Sequence, residues 1–186
     1  QDFATNILQW FLLAMAGTAV FRIARHLGAV RDSAICAGVA VFFIPGMAHQ
    51  SVASEVDIAF STFFCTALYF LLRWDSHPRN RHAALFACAT AGLFLGTKSI
   101  ALVWTLFFLA PLALYSFIRH RKPLLIITGA FAVIATGGFW IVRNFILTGN
   151  PVFPLTIELM GHVIFDGAYT KATMLNSVFH TGSFRE

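Results

Sequence analysis

Apolar residues come in long blocks separated by short polar breaks, at 7–23, 33–48, 56–72, 83–118 and 123–142. A helix needs roughly 17–25 mostly apolar residues to cross the hydrocarbon core of a bilayer. The second block is short and ends near Pro45-Gly46, and the third opens with Asp57 at its edge. The fourth block would stretch about 54 Å as one helix at 1.5 Å per residue, far more than a bilayer core of about 30 Å. Near its midpoint lies Gly96-Thr97-Lys98-Ser99. A hairpin there brings Lys98 to the membrane surface, whereas a straight helix leaves it in hydrocarbon at a cost of about 3 kcal/mol or more. The pattern therefore predicts an all-α, polytopic transmembrane bundle of about six spans: 7–23, 33–48, 56–72, 83–97, 100–118 and 123–142. Residues 143–186 then form a long loop on one side, in which the stretch 155–165 is too short to span and is expected as an interfacial helix.

Charge orients this bundle. Arg22, Arg25 and Arg31 form one basic cluster, Arg73, Arg79 and Arg81 a second, and Arg119, Arg121 and Lys122 a third. In a six-span chain these three loops fall on the same side, which the positive-inside bias identifies as cytoplasmic. Both termini are then non-cytoplasmic. The acids divide the other way: Asp32 and Asp75 lie inside, whereas Asp2, Glu55, Asp57, Glu158, Asp166 and Glu186 lie outside. The outer face is the chemically richer one.

Composition supports lipid as the main solvent. Apolar residues make up 58% of the chain and charged residues 11%, against about 25% charged in a soluble domain. The net charge of +5 does not point to nucleic acid, because the basic residues sit in separated loops with no continuous basic face. Cys36, Cys65 and Cys88 lie inside apolar blocks, which argues against a disulfide framework. The first apolar block lacks a basic leader and a cleavage site, so it reads as a span and not as a signal peptide.

Few residues are left to carry chemistry. Glu55 and Asp57 close the second outer loop and lead into the third span. They read as metal ligand, general base or acceptor for sugar hydroxyls, or as acids stabilised by a helix N-terminus, the last being favoured for Glu55. Lys98 reads as a phosphate contact at the membrane surface or as a snorkelling interfacial lysine. Arg143 and Asn144 follow Trp140 at the outer end of the last span, where an arginine either grips a lipid-linked phosphate bidentately or anchors the helix at the interface. Thr148-Gly149-Asn150-Pro151-Val152-Phe153-Pro154 reads as a rigid turn. Of the histidines, His49 lies near the acids, while His26, His77, His82 and His120 read as solvated members of basic loops. No metal-binding histidine spacing, phosphate-binding glycine loop or nucleophile elbow is present.

Three of these segments resemble one family. Gly92-Leu93-Phe94-Leu95-Gly96-Thr97-Lys98 resembles the GlxxGtK element of polytopic glycosyltransferases that take their sugar from a lipid carrier. Trp140-Ile141-Val142-Arg143-Asn144, continued by Thr148 to Pro154, resembles their WxxRNxxxtGNPvfP element. Pro45 followed by Glu55-Val56-Asp57 is similar to their second outer loop. The resemblance spans roughly 8–165 and is to the glycosyltransferase C superfamily, nearest to its protein mannosyltransferase-like and aminoarabinose-transferase-like members of family 39 and related bacterial groups.

That resemblance implies transfer of a sugar from a polyprenyl-phosphate donor to a lipid, glycan or protein acceptor. Transfer would occur on the outer face of a bacterial inner membrane, without a nucleotide cofactor and with a divalent metal in some members. It implies a carrier-phosphate site at Lys98, Arg143 and Asn144, with Asp57 and Glu55 in support and His49 and Asn150 near the substrate. The first outer loop of such enzymes, which carries the catalytic base, is expected upstream of Gln1, which makes this chain a fragment. Two rivals remain: a multi-pass transporter, which would keep ionisable groups near the midplane, and a structural membrane subunit.

Overall fold

The structure of the chain, a computed structural model, describes residues 3–50 and 56–168. Glu55 and both chain ends, on which the expected outward termini rest, lie outside them. The chain divides into two units, Gln1–Gly138 and Phe139–Glu186.

The first unit is helical. Helix α1 covers Phe3–His26, α2 Arg31–Ala40, α3 Pro45–Gln50, α4 Asp57–Ser76 and α5 Arg81–Leu95. Helix α6 (Ala101–Trp104) continues through a wide turn, Thr105–Leu109, into α7 (Ala110–His120), and α8 runs over Pro123–Thr148. Three stretches are long and apolar enough to cross a membrane: Ile7–His26, Ala101–His120 and Leu124–Thr148. Their surfaces are apolar where a soluble protein's would be polar; Phe107, Ile127 and Phe131 are all about 70% exposed, as suits lipid contact.

Two features of the chain's course follow from proline. The apolar block 33–48, expected as one span, is instead broken. Helix α2 ends at Ala40, Val41–Phe43 tighten into a 3₁₀ turn, and Ile44 is extended at φ −68°, ψ 117°. Pro45 enforces this, because the residue before a proline is pushed out of the helical region. Pro111 acts more gently. It lacks the N–H that would bond to the carbonyl of Phe107, and the helix absorbs the loss in the wide turn just before it. The long block 83–118 is not one helix either, since the chain turns between Leu95 and Ala101.

Helix α4 is the axis of this unit. Ile58, in its first turn, packs with Leu12, Leu13, Ala16 and Val41. Ala67, midway, packs with Phe94, Ala101 and Leu109. Leu71 and Trp74, near its end, pack with Ala83, Ala84 and Ala87. The Thr62 hydroxyl donates to the Leu12 carbonyl at 2.9 Å, tying α4 to α1. Small residues let the other helices approach closely, as is usual where lipid gives no hydrophobic drive for association. A Cβ on Gly17 would lie 2.8 Å from the Gly38 carbonyl oxygen, so α1 and α2 cross on glycine. Helices α5 and α8 cross where Gly92 meets Val133, Thr136 and Gly137, and Thr136 Oγ1 donates to the Ala89 carbonyl at 2.9 Å.

The second unit holds the end of α8 and a two-stranded antiparallel hairpin, β1 (Ile157–Leu159) and β2 (His162–Phe165). The interfacial helix expected over 155–165 is therefore corrected to a hairpin. Met160 and Gly161 both take positive φ, 52° and 81°, which is the geometry of a two-residue turn whose twist matches the flanking strands. Val163-Ile164-Phe165 are β-favouring residues.

Candidate functional site

In the first unit two polar side chains from separate helix ends and breaks converge on Asp57, the first residue of α4. Lys98, in the break between α5 and α6, forms an ion pair with Asp57 Oδ1. The side-chain amide of Gln50, the last residue of α3, donates to Asp57 Oδ2 at 2.8 Å. Both carboxylate oxygens are thus engaged, and the helix N-terminus adds a favourable dipole. Asp57 and Lys98 are each a little over one-third exposed, so the pair sits at a surface that a ligand can reach.

The break that presents Lys98 is fixed from beneath. The Lys98 carbonyl accepts from Ala101 N–H at 2.9 Å, starting α6, and Thr97 Oγ1 donates back to the Phe94 carbonyl at 2.6 Å. One turn into the helices, Phe60 and Phe64 of α4 pack on Phe94 of α5 with ring centres 4.6 and 5.4 Å apart. Trp104 of α6 lies edge-on to both. Such pairs contribute about 0.5–1.5 kcal/mol each beyond area burial, enough to hold the three helix ends in place.

Gln50 was not singled out by sequence reasoning. Its only signal is its place seven residues before Asp57, and the intervening loop hides that relation. His49, which was singled out, is exposed on the last turn of α3, and it is Gln50 that reaches the acid. Among the described residues no group of three or more His, Cys, Asp or Glu side chains is placed to hold a metal ion. Asp57 is engaged by an ammonium and an amide, and Glu55, the other acid of this loop, lies outside the described residues.

In the second unit the residues of the turn have structural work. Asn144 is buried and its amide donates to the Phe153 carbonyl at 3.2 Å. Asn150 is almost wholly buried; its amide donates to the carbonyls of Leu155 (2.8 Å) and Asp166 (2.9 Å), and its Oδ1 accepts from Val152 N–H at 2.9 Å. Both side chains bond to the loop's own backbone. Arg143 is exposed, and its guanidinium lies 5.1 Å from the centre of the Trp140 ring. The Trp140 ring thus supports the guanidinium at an exposed position.

A second polar cluster sits at the far end of α4. Asp75 accepts from Ser116 Oγ at 2.9 Å and from Arg119 at 3.2 Å, and His120 Nε2 lies 3.2 Å from the same carboxylate. His120 is also edge-on to Trp74, ring centres 5.4 Å apart. It is thus a packed partner, which corrects its reading as a solvated loop histidine. Its i+45 spacing from Asp75 gives no local signal in the sequence.

Residues 2–166 match the family described as Domain of unknown function (DUF8201), and the chain belongs to that family. No curated protein and no solved structure matches the chain.

Proposed function

We propose that this chain is part of a multi-pass membrane glycosyltransferase that takes its sugar from a polyprenyl-phosphate donor on the non-cytoplasmic face, in a bacterial inner membrane. The observation that carries the reading is the placement of Lys98: a cation held in a rigid helix break, at a level set by the ends of apolar helices. A polyprenyl tail partitions into the bilayer and leaves its phosphate at that level. A lysine ammonium has three N–H donors. Asp57 takes one, which fixes the head group and leaves two for phosphate oxygens.

In this reading Asp57 is a positioning residue. Its two carboxylate oxygens are already engaged, one by the Lys98 ammonium and one by the Gln50 amide, which suits it to hold Lys98 in place. Arg143, in the other unit, is given an independent phosphate contact, supported by its exposure and its place on Trp140. The sugar acceptor would be a lipid, a glycan or a protein hydroxyl.

The transporter reading is weaker. In α1, α4, α5, the α6–α7 segment and α8 the ionisable Asp, Glu, Lys, Arg and His residues, Arg22 and Arg143 included, all fall within about six residues of a helix end, whereas a carrier would place such groups near the midplane.

The test is sugar transfer from a polyprenyl-phosphate donor by the full-length protein in membranes. Lys98→Ala and Arg143→Ala should each impair transfer while insertion, read by membrane fractionation, stays normal. Normal transfer by both variants would defeat the proposal.

A further inference from the structure

At the end of α4 opposite Asp57, the first unit has a cavity of about 590 Å³ between the end of α1 and the α4–α5 turn. Four arginines line it, Arg22, Arg25, Arg73 and Arg79, with His26, His77, Tyr69 and Asn80 completing the polar wall. No acid lines it. Of the two acids near this end of the unit, Asp75 is held by Ser116, Arg119 and His120, and Asp32 has no ion pair among the described residues. Among the described residues none of the four cavity arginines has a carboxylate partner. Arg25 donates to the Ala29 carbonyl at 2.7 Å and Arg73 to the Tyr69 hydroxyl at 2.9 Å. Four guanidinium groups around one space, with no carboxylate partner among the described residues, repel one another and call for an anion.

The surroundings indicate which anion. The cavity opens into a groove of about 450 Å³ along the α1–α4 seam, and Arg22, Tyr69 and Arg73 line both. Beyond those three, the groove is apolar but for Thr18 and Thr66, with Phe11, Met15 and Phe70 among its walls. It runs along α1, one of the stretches apolar enough to cross a membrane. A basic pocket at one end and an apolar channel leading from it into the bilayer match a molecule with a phosphate head and an acyl chain.

We propose that this pocket and groove bind an anionic phospholipid, with its phosphate among Arg22, Arg25, Arg73 and Arg79 and one acyl chain lying along Phe11, Met15 and Phe70. Arginine suits the task, because its planar fork meets phosphate oxygens bidentately, and basic pockets between spanning helices are sites of this kind. The site lies about 24 Å along α4 from Asp57, taking 1.5 Å per residue from position 57 to 73. It is therefore separate from the Lys98 site and does not depend on the transferase reading.

The experiment uses the full chain, purified in mild detergent, and native mass spectrometry with added dioleoyl phosphatidylglycerol, dioleoyl phosphatidylcholine or inorganic phosphate. Phosphatidylglycerol should be retained at least fivefold more than phosphatidylcholine, and inorganic phosphate should not compete at equal concentration. Arg79→Gln, an exposed change whose side chain makes no hydrogen bond among the described residues, should lower retention severalfold, and Arg22→Gln with Arg73→Gln should abolish the preference. Lys122→Gln, which removes a charge elsewhere on the basic loops, should leave it unchanged. Ala14→Trp, which fills the groove, should lower retention of both lipids. Equal retention of the two lipids, full competition by phosphate, or an equal loss in Lys122→Gln would overturn the proposal.

Discussion

Lys98 and Asp57, 41 residues apart in sequence, are ion-paired where α4 begins and α5 ends. Both members are more than one-third exposed, and pairs of that kind contribute only about 0–1 kcal/mol to stability. On the reading proposed above, the pair serves to place the ammonium. Lys98→Met and Asp57→Asn should each lower the unfolding free energy in detergent by no more than about 1 kcal/mol. Their effects on transfer should differ. Lys98→Met removes a charge-assisted contact, which is typically about 1.5–3 kcal/mol and so about a 10- to 100-fold loss in kcat/KM. Asp57→Asn keeps the Gln50 contact and frees Lys98, so kcat should fall more than donor affinity. Steady-state kinetics on the two variants separates these outcomes, and equal loss of kcat and donor affinity in Asp57→Asn would refute the positioning role.

The crossing of α5 and α8 makes a sharper stability prediction. Gly92 in the GlxxGtK-like element faces backbone, with a Cβ there meeting the Val133 carbonyl at 2.6 Å and colliding with Thr136 Oγ1. Backbone cannot step aside as a side chain can. Gly92→Ala should destabilise the protein by about 1–3 kcal/mol, the usual range for overpacking. Gly138→Ala, whose new methyl would meet only the Ile134 side chain, Cγ2 at 3.2 Å and Cβ at 3.8 Å, should cost less than half as much. Thermal unfolding in detergent ranks the two. The first glycine of this element thus has a packing role, whatever Lys98 does.

What was legible in the sequence divides along the same line. Local signals carried far. The Gly96-Thr97-Lys98-Ser99 interruption marks a true helix break, and the length and apolarity of three helical stretches are plain in the pattern. Pro45 was seen as the end of a block, but its effect reaches back to Ile44 and divides the block. The hairpin at 157–165 was mistaken for a helix because one apolar run of that length fits either, and only the Met160-Gly161 turn decides between them. Partners set by tertiary packing left no trace: Gln50 at Asp57, His120 at Asp75, and the arginines of α1 and α4 around one cavity. Those arginines were read only as a topology signal, since periodicity cannot say which loop faces which.

The Asp75 cluster should behave as a structural clasp between α4 and α7. Ser116 is fully buried and donates to a partly buried carboxylate. Ser116→Ala leaves that carboxylate short of a donor, at a cost of about 1–3 kcal/mol. Asp75→Asn should cost a similar amount by weakening its contacts with Arg119 and His120. Because these contacts sit far from Lys98 along α4, transfer measured well below the unfolding temperature should stay within about twofold of normal in both variants. A large loss of transfer without loss of stability would mean that this end of α4 communicates with the chemistry.

In the second unit, Asn150 is the keystone of the turn that follows α8. Three hydrogen bonds from one side chain close the stretch from Val152 to Asp166. Asn150→Ala leaves the Leu155 and Asp166 carbonyls without that donor. A net contribution of about 0.5–1.5 kcal/mol per bond puts the total near 2–4 kcal/mol, confined to this unit. Hydrogen exchange should then speed up over 152–166 while the Gln1–Gly138 unit keeps its protection. Asn150→Asp is the informative companion. It retains an acceptor for Val152 N–H but turns the donor of the other two bonds into a second acceptor, facing two carbonyl oxygens. It should therefore destabilise the loop at least as much as alanine at neutral pH and recover part of the loss in acid, where the protonated carboxyl donates once. If Asn150→Asp exchanges like the unmodified protein at both pH values, the buried amide is not what holds the turn.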